Sequence, residues 1–194
     1  ANLVSPTGVG PTVTSTVGTT HTGGANNIKN SIGHLKFSND GSRLAIVLLS
    51  MERYEILDFD INTGVVSNPM IINESSFNQA YNFEFSPDDS KFYTVDEYGG
   101  NIYQYNLQAG STANILASRV LVGSTGTAVG SLHLHTDGAI YVSKNLHVGS
   151  TEVGNGYLAK IEFPNLTGTA SSYVNQAVYL GGRKSHWTLP NFMK

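Results

Sequence analysis

Three stretches of the chain repeat one alternation of apolar and polar positions: an apolar strand, a turn carrying Asp, and a second apolar strand. They run from His34 to Val47, from Asn82 to Val95 and from Ser131 to Val142. The matched residues Phe37, Phe85 and Leu134 lie 48 and 49 residues apart. Within each stretch the first strand puts its apolar side chains on one face: Leu35 and Phe37, then Phe83 and Phe85, then Leu132 and Leu134. The turns Asn39-Asp40-Gly41, Pro87-Asp88-Asp89 and Thr136-Asp137-Gly138 suit tight connectors, because the last position calls for positive φ. The middle copy carries Asp there instead of Gly, and Asp tolerates that conformation better than most residues.

Each copy continues with a third strand: Tyr54 to Phe59, Asn101 to Tyr105, and Tyr157 to Phe163. A Gly-bearing turn then leads to a fourth, expected at Val65 to Ile72, Ile115 to Val122 and Ser172 to Leu180. Met51 to Asp58 shows some helical spacing but sits where a strand is required. Four antiparallel strands in a period of about 40 to 50 residues are the signature of a β-propeller blade. The sequence therefore predicts an all-β propeller with blades at 28–79, 80–127 and 128–182. Pro11 to Gly18 reads as the last strand of a preceding blade, so that 1–27 is strand and link, and 183–194 is a tail. Three blades and one strand make a partial propeller, since closed ones have about four to eight blades. The expectation is a portion of a larger ring.

Composition agrees with this pattern. Gly, Ser, Thr and Asn fill 76 of 194 positions, as a chain rich in turns requires. A net charge of −3 argues against nucleic acid as a partner, and no run of 18 apolar residues offers a membrane span. The absence of cysteine removes disulfides, thiolate catalysis and cysteine metal sites.

The stretch from Phe85 to Val95 resembles the WD40-like propeller repeats of the YVTN and Tol-associated type. Three further stretches are similar to one group of large Bacteroidota surface proteins: Val17 to Gly24 running into Ile32 to Phe37, Leu57 to Gly64, and Leu189 to Phe192. Proteins of that group carry an N-terminal propeller and a C-terminal gliding-motility or type IX secretion domain. The resemblance implies an exported bacterial module at the cell surface or outside the cell, with no established enzymatic activity; no cofactor is expected. Its expected role is adhesion, with a protein or glycan as partner, or with the remaining blades of the same protein.

Candidate chemistry is sparse. Neither Gly-x-Ser-x-Gly nor a phosphate-cradling Gly-x-x-x-x-Gly-Lys sequence occurs. Binding residues are expected in the rim loops, where Asp96, Glu97 and Tyr98 combine carboxylates with an aromatic ring, the usual equipment for sugar recognition. Lys144 and His147 belong to the longest of these loops, 144–156. His133 and His135 alternate on one strand and are the candidates for a metal pair, though the reading preferred here packs them between blades. Asp40, Asp88, Asp89 and Asp137 are read as turn formers, because one or two carboxylates per turn fall short of a calcium shell. The alternatives to an adhesion module are a lactonase-like hydrolase or lyase with a channel-mouth site, and a structural repeat in a surface assembly.

Overall fold

The computed structural model describes residues 2–6, 8–21, 33–74, 76, 79–148 and 151–189. A short hairpin, β1 (Asn2–Ser5) and β2 (Gly8–Thr12), precedes three four-stranded antiparallel sheets. The first sheet holds β3 (Leu35–Phe37), β4 (Arg43–Leu48), β5 (Arg53–Phe59) and β6 (Val66–Asn73). The second holds β7 (Ala80–Phe85), β8 (Lys91–Asp96), β9 (Asn101–Asn106) and β10 (Val120–Ser124). In the third, β11 (Ala128–Leu134), β12 (Ile140–Asn145), β15 (Tyr157–Ile161) and β16 (Tyr173–Tyr179) enclose a small hairpin, β13 (His147–Val148) with β14 (Thr151–Glu152). Every sheet is wound in chain order, as a propeller blade is.

Two sequence expectations shift. The strand expected over 11–18 lies earlier, and only Pro11 and Thr12 belong to it. The following residues strap across the first blade, where Ser15 Oγ accepts the Val66 N–H at 2.9 Å. Both oxygens of the buried Glu55 carboxylate accept the Thr19 N–H, each at 3.1 Å. The strand expected at Ile115 begins only at Val120, because Thr112–Ala117 forms a short helix, α1. Ser111 caps it by accepting the Asn114 N–H, and Ser118 Oγ closes it on the Ile115 carbonyl at 2.6 Å. Local capping here overrides the β preference of Ile115, which turns into the core.

Burial occurs between blades. Ala45, Val47, Tyr54, Ile56 and Ile72 of the first meet Phe83, Phe85, Phe92, Tyr105 and Leu107 of the second. Tyr93, Val95, Ile102 and Val122 of the second meet Val129, Leu132, Leu134, Ile140 and Ile161 of the third. Phe92 sits 5.2 Å from both Phe83 and Phe85 and edge-on to Tyr54, and the Tyr54 hydroxyl donates to the Val95 carbonyl at 2.9 Å.

Polar bonds add to the same contacts. On the inner edge, Asn82 Oδ1 accepts the Leu132 N–H at 2.9 Å and Glu84 Oε2 accepts the Leu134 N–H at 2.7 Å. Lys36 pairs with the same Glu84 oxygen. At the turns, Gly41, Asp89 and Gly138 all have positive φ, as the repeat requires. Asp89 does more than tolerate it: its carboxylate accepts the Asn39 N–H, the Asn39 side-chain amide and the Asp40 N–H, all within 2.9 Å.

Phe92→Ala is expected to lower stability by about 3–5 kcal/mol in urea unfolding, since it empties the centre of the first interface; a loss under about 1 kcal/mol would contradict this packing. Asp89→Ala is expected to cost about 1–2 kcal/mol. Asp89→Gly should cost less, because it loses the same bonds but relieves the left-handed backbone. Equal stability of Asp89→Ala and the wild type would remove the clamp.

Candidate functional site

The rim lies at the ends of the inner strands opposite the Asp-bearing turns. It gathers residues that are far apart in the chain. His34 precedes β3, Tyr81 is the second residue of β7, Tyr98 follows β8, and Trp187 comes from the tail. The Trp187 ring stands 6.0 Å from Tyr98 and 6.1 Å from Tyr81, and His34 lies edge-on to Tyr81 at 5.9 Å. Glu152 on β14 accepts the indole N–H at 2.9 Å and fixes the ring. The tail is held by its backbone: Leu189 N–H donates to Ser131 Oγ at 2.7 Å, and Ser185 bridges Asn155. Gly130 permits this course, because a Cβ there would sit 2.4 Å from the Trp187 carbonyl oxygen.

The structure separates the residues nominated from sequence. Tyr98 is 48% exposed and belongs to the aromatic rim. Asp96 and Glu97 do not present carboxylates to solvent, since both are buried. Asp96 Oδ1 accepts the Gly99 N–H at 3.1 Å and so shapes the turn. Glu97 acts on its neighbours electrostatically. Burial raises the pKa of Tyr81 and Tyr98 above the ordinary phenol value, and the Glu97 charge raises both further. Both phenols therefore remain protonated donors at neutral pH.

Lys144 is a correction. It was read as the start of a rim loop but is a strand residue of β12, buried, with Nζ donating to the carbonyl and Oδ1 of Asn175. Burial lowers its pKa. It ties β12 to β16 and is closed to a ligand. His147 lies on β13, and its side chain is outside the described set.

His133 and His135 belong to no metal-ligating cluster among the described residues. Among the described residues, no group of three or more His, Asp or Glu side chains converges closely enough to hold an ion. His135 follows the strand, stacks edge-on against Tyr141 at 5.5 Å and takes the Asp137 N–H on Nδ1 at 3.4 Å. Sequence reasoning missed Trp187 and Tyr81. The only signal for Trp187 was its being the single tryptophan, in a tail with no strand pattern.

The Asp residues are turn elements. Asp40 bonds Ser38 and Ser42, Asp88 bonds Ser86 and Ser90, and Asp137 accepts from Ala139, Tyr141 and Lys160. At Asp137 burial opposes ionisation, but those three bonds outweigh it and hold the pKa down at about 2. The Ser38 bond leads in lowering Asp40, and at Asp88 the Ser86 and Ser90 bonds prevail over burial.

No protein-family model matches this chain, and no curated protein matches it. Solved structures do. A candidate 6-phosphogluconolactonase from Bacteroides uniformis superposes with a TM-score of 0.52 at 16% identity, over 82% of this chain and 45% of its own. A protein from Lactobacillus plantarum gives 0.53 at 17% identity over the same shares. A candidate 6-phosphogluconolactonase from Bacteroides fragilis gives 0.50 at 14%, over 80% and 44%. This chain thus spans less than half the length of each. At such identities the likeness defines the fold, and the fold is that of a β-propeller-like protein built of four-stranded antiparallel blades.

A folded-state pKa below the ordinary Asp value makes ionised Asp40, Asp88 and Asp137 stabilising. That contribution is complete above about pH 4 and is lost as pH falls through the folded pKa, at about 2 for Asp137. Urea midpoints measured between about pH 5 and pH 2 should fall with acid, and Asp137→Asn should flatten the fall. An unchanged slope in that variant would show that Asp137 is not coupled to folding.

Proposed function

We propose that this chain is a non-catalytic propeller module of an exported bacterial protein, acting outside the cell or at its surface by binding a glycan on its aromatic rim. The observation that carries the reading is the meeting of Tyr81, Tyr98 and Trp187, with Trp187 fixed by Glu152. Aromatic faces stack on the apolar face of a sugar ring, and protonated phenols donate to its hydroxyls. The resemblance of Val17–Gly24, Ile32–Phe37, Leu57–Gly64 and Leu189–Phe192 to Bacteroidota surface proteins supports the location and the adhesion role.

A second reading, a propeller hydrolase acting at the channel mouth, draws on the candidate lactonases among the structural neighbours. Hydrolysis of a δ-lactone by the purified chain above the spontaneous rate would favour it.

On a glycan array the chain is expected to bind a defined set of sugars. Trp187→Ala and Tyr98→Ala should each weaken that binding by at least about tenfold, roughly 1.4 kcal/mol. Binding that survives both substitutions unchanged would overturn the assignment of the rim.

A further inference from the structure

The aromatic rim carries negative charge beside its rings. We infer that the glycan it binds presents a protonated amine to Trp187 and Glu152, as a glucosamine unit without its acetyl group does. The inference rests on the reading of the rim as a glycan site and names what that site selects.

Glu152 stands exposed on the short hairpin of β13 and β14. Its Oε2 accepts the Trp187 indole N–H at 2.9 Å, which leaves Oε1 beside the same ring. Among the described residues, Oε1 accepts no hydrogen bond and no cation pairs with either oxygen. Holding an indole needs an acceptor but not a charge. Glu97 supplies a second negative charge from a buried position. After burial, Glu97 raises the pKa of Tyr81 and of Tyr98, and Glu152 adds to the effect at Tyr98. His34, the imidazole against Tyr81, does not offset these charges. Burial, and after it Lys36, lowers its pKa, so it is uncharged at neutral pH.

The rings act on the same group. Tyr98 and Tyr81 meet Trp187 at interplanar angles of 78° and 61°. An aromatic face attracts a cation within about 6 Å of its centre, and tryptophan does so most strongly. Because Oε2 already touches the indole nitrogen, a cation over that ring also lies within range of the carboxylate. Ring and charge therefore converge on one ammonium. A neutral or acetylated sugar uses the rings and leaves Glu152 without a counter-charge. The phenols decide between an amino sugar and a lysine side chain. Both are protonated donors, and sugar hydroxyls accept from them, whereas a lysine side chain has no acceptor.

The test compares the β-1,4-linked tetramers of glucosamine, N-acetylglucosamine and glucose, which place an amine, an acetamide or a hydroxyl on one backbone. Calorimetry at about pH 6, where an amine is protonated, gives the affinities. The emission of Trp187, the single tryptophan, reports the place of binding. The glucosamine tetramer should shift that emission and bind at least about tenfold more tightly than the glucose tetramer. Glu152→Gln keeps an acceptor for the indole and removes the charge, so it should bring that ratio to within about twofold of one. Raising salt from about 0.05 M to about 0.5 M should lower the ratio in the wild type. Equal or tighter binding of either uncharged tetramer, or a ratio that Glu152→Gln leaves unchanged, would overturn the inference while the rim remains a glycan site. Tighter binding of a lysine tripeptide than of the glucosamine tetramer would also overturn it, because the partner would then be a protein. Binding of none of the three tetramers would overturn it together with the glycan reading.

Discussion

A four-stranded sheet that is apolar on both faces cannot bury either face with its own strands. Each blade here depends on its neighbour: Phe83, Phe85 and Phe92 turn to the first blade, while Tyr93, Val95 and Ile102 of the same sheet turn to the third. The second blade is covered on both sides, and its strands β7 and β8 are almost wholly buried. The same alternation in β3 leaves Leu35 60% exposed, because no sheet among the described residues lies against that face. Stability in such an array is a sum over interfaces, and a residue at the centre of one interface acts on two blades at once.

Polar bonds supply the register that apolar contact lacks. Burial sets how strongly two blades attract but allows them to slide, whereas a carboxylate accepting defined N–H groups does not. Glu84 and Asn82 fix the second blade against the third at the inner strands, and Asp89 fixes it against the first at the turns. Glu74 does so on the outside, accepting from Tyr105 and Arg119 while the guanidinium lies 3.8 Å from the Tyr103 ring centre. Each of these groups is buried or at a contact, and each joins segments of two different blades.

This stitching leaves two ends of the inner strands with different chemistry. The rim end collects aromatic rings beside Glu97 and Glu152, and the turn end collects Lys36, His133 and His135. The rim arises where a tail crosses the third blade.

The alternation of apolar residues and the Asp-Gly turns were sufficient, without coordinates, to place twelve blade strands in three sheets, because strand pairing and turn geometry are local and have period two. Even the demand for positive φ at Asp89 was legible from the Gly at the matching positions. The clamp it makes on Asn39 was not, since nothing local reveals a partner one repeat away. For the same reason Lys144 reads as a loop lysine and proves buried, Asp96 and Glu97 read as rim carboxylates and face inward, and Trp187 reads as tail and becomes the centre of the rim. The sequence by itself determined the order of the strands and most of their residues. Only the packing of blade on blade decided which of their faces are buried and which distant side chains meet, because burial is a property of contacts between segments and not of any one of them.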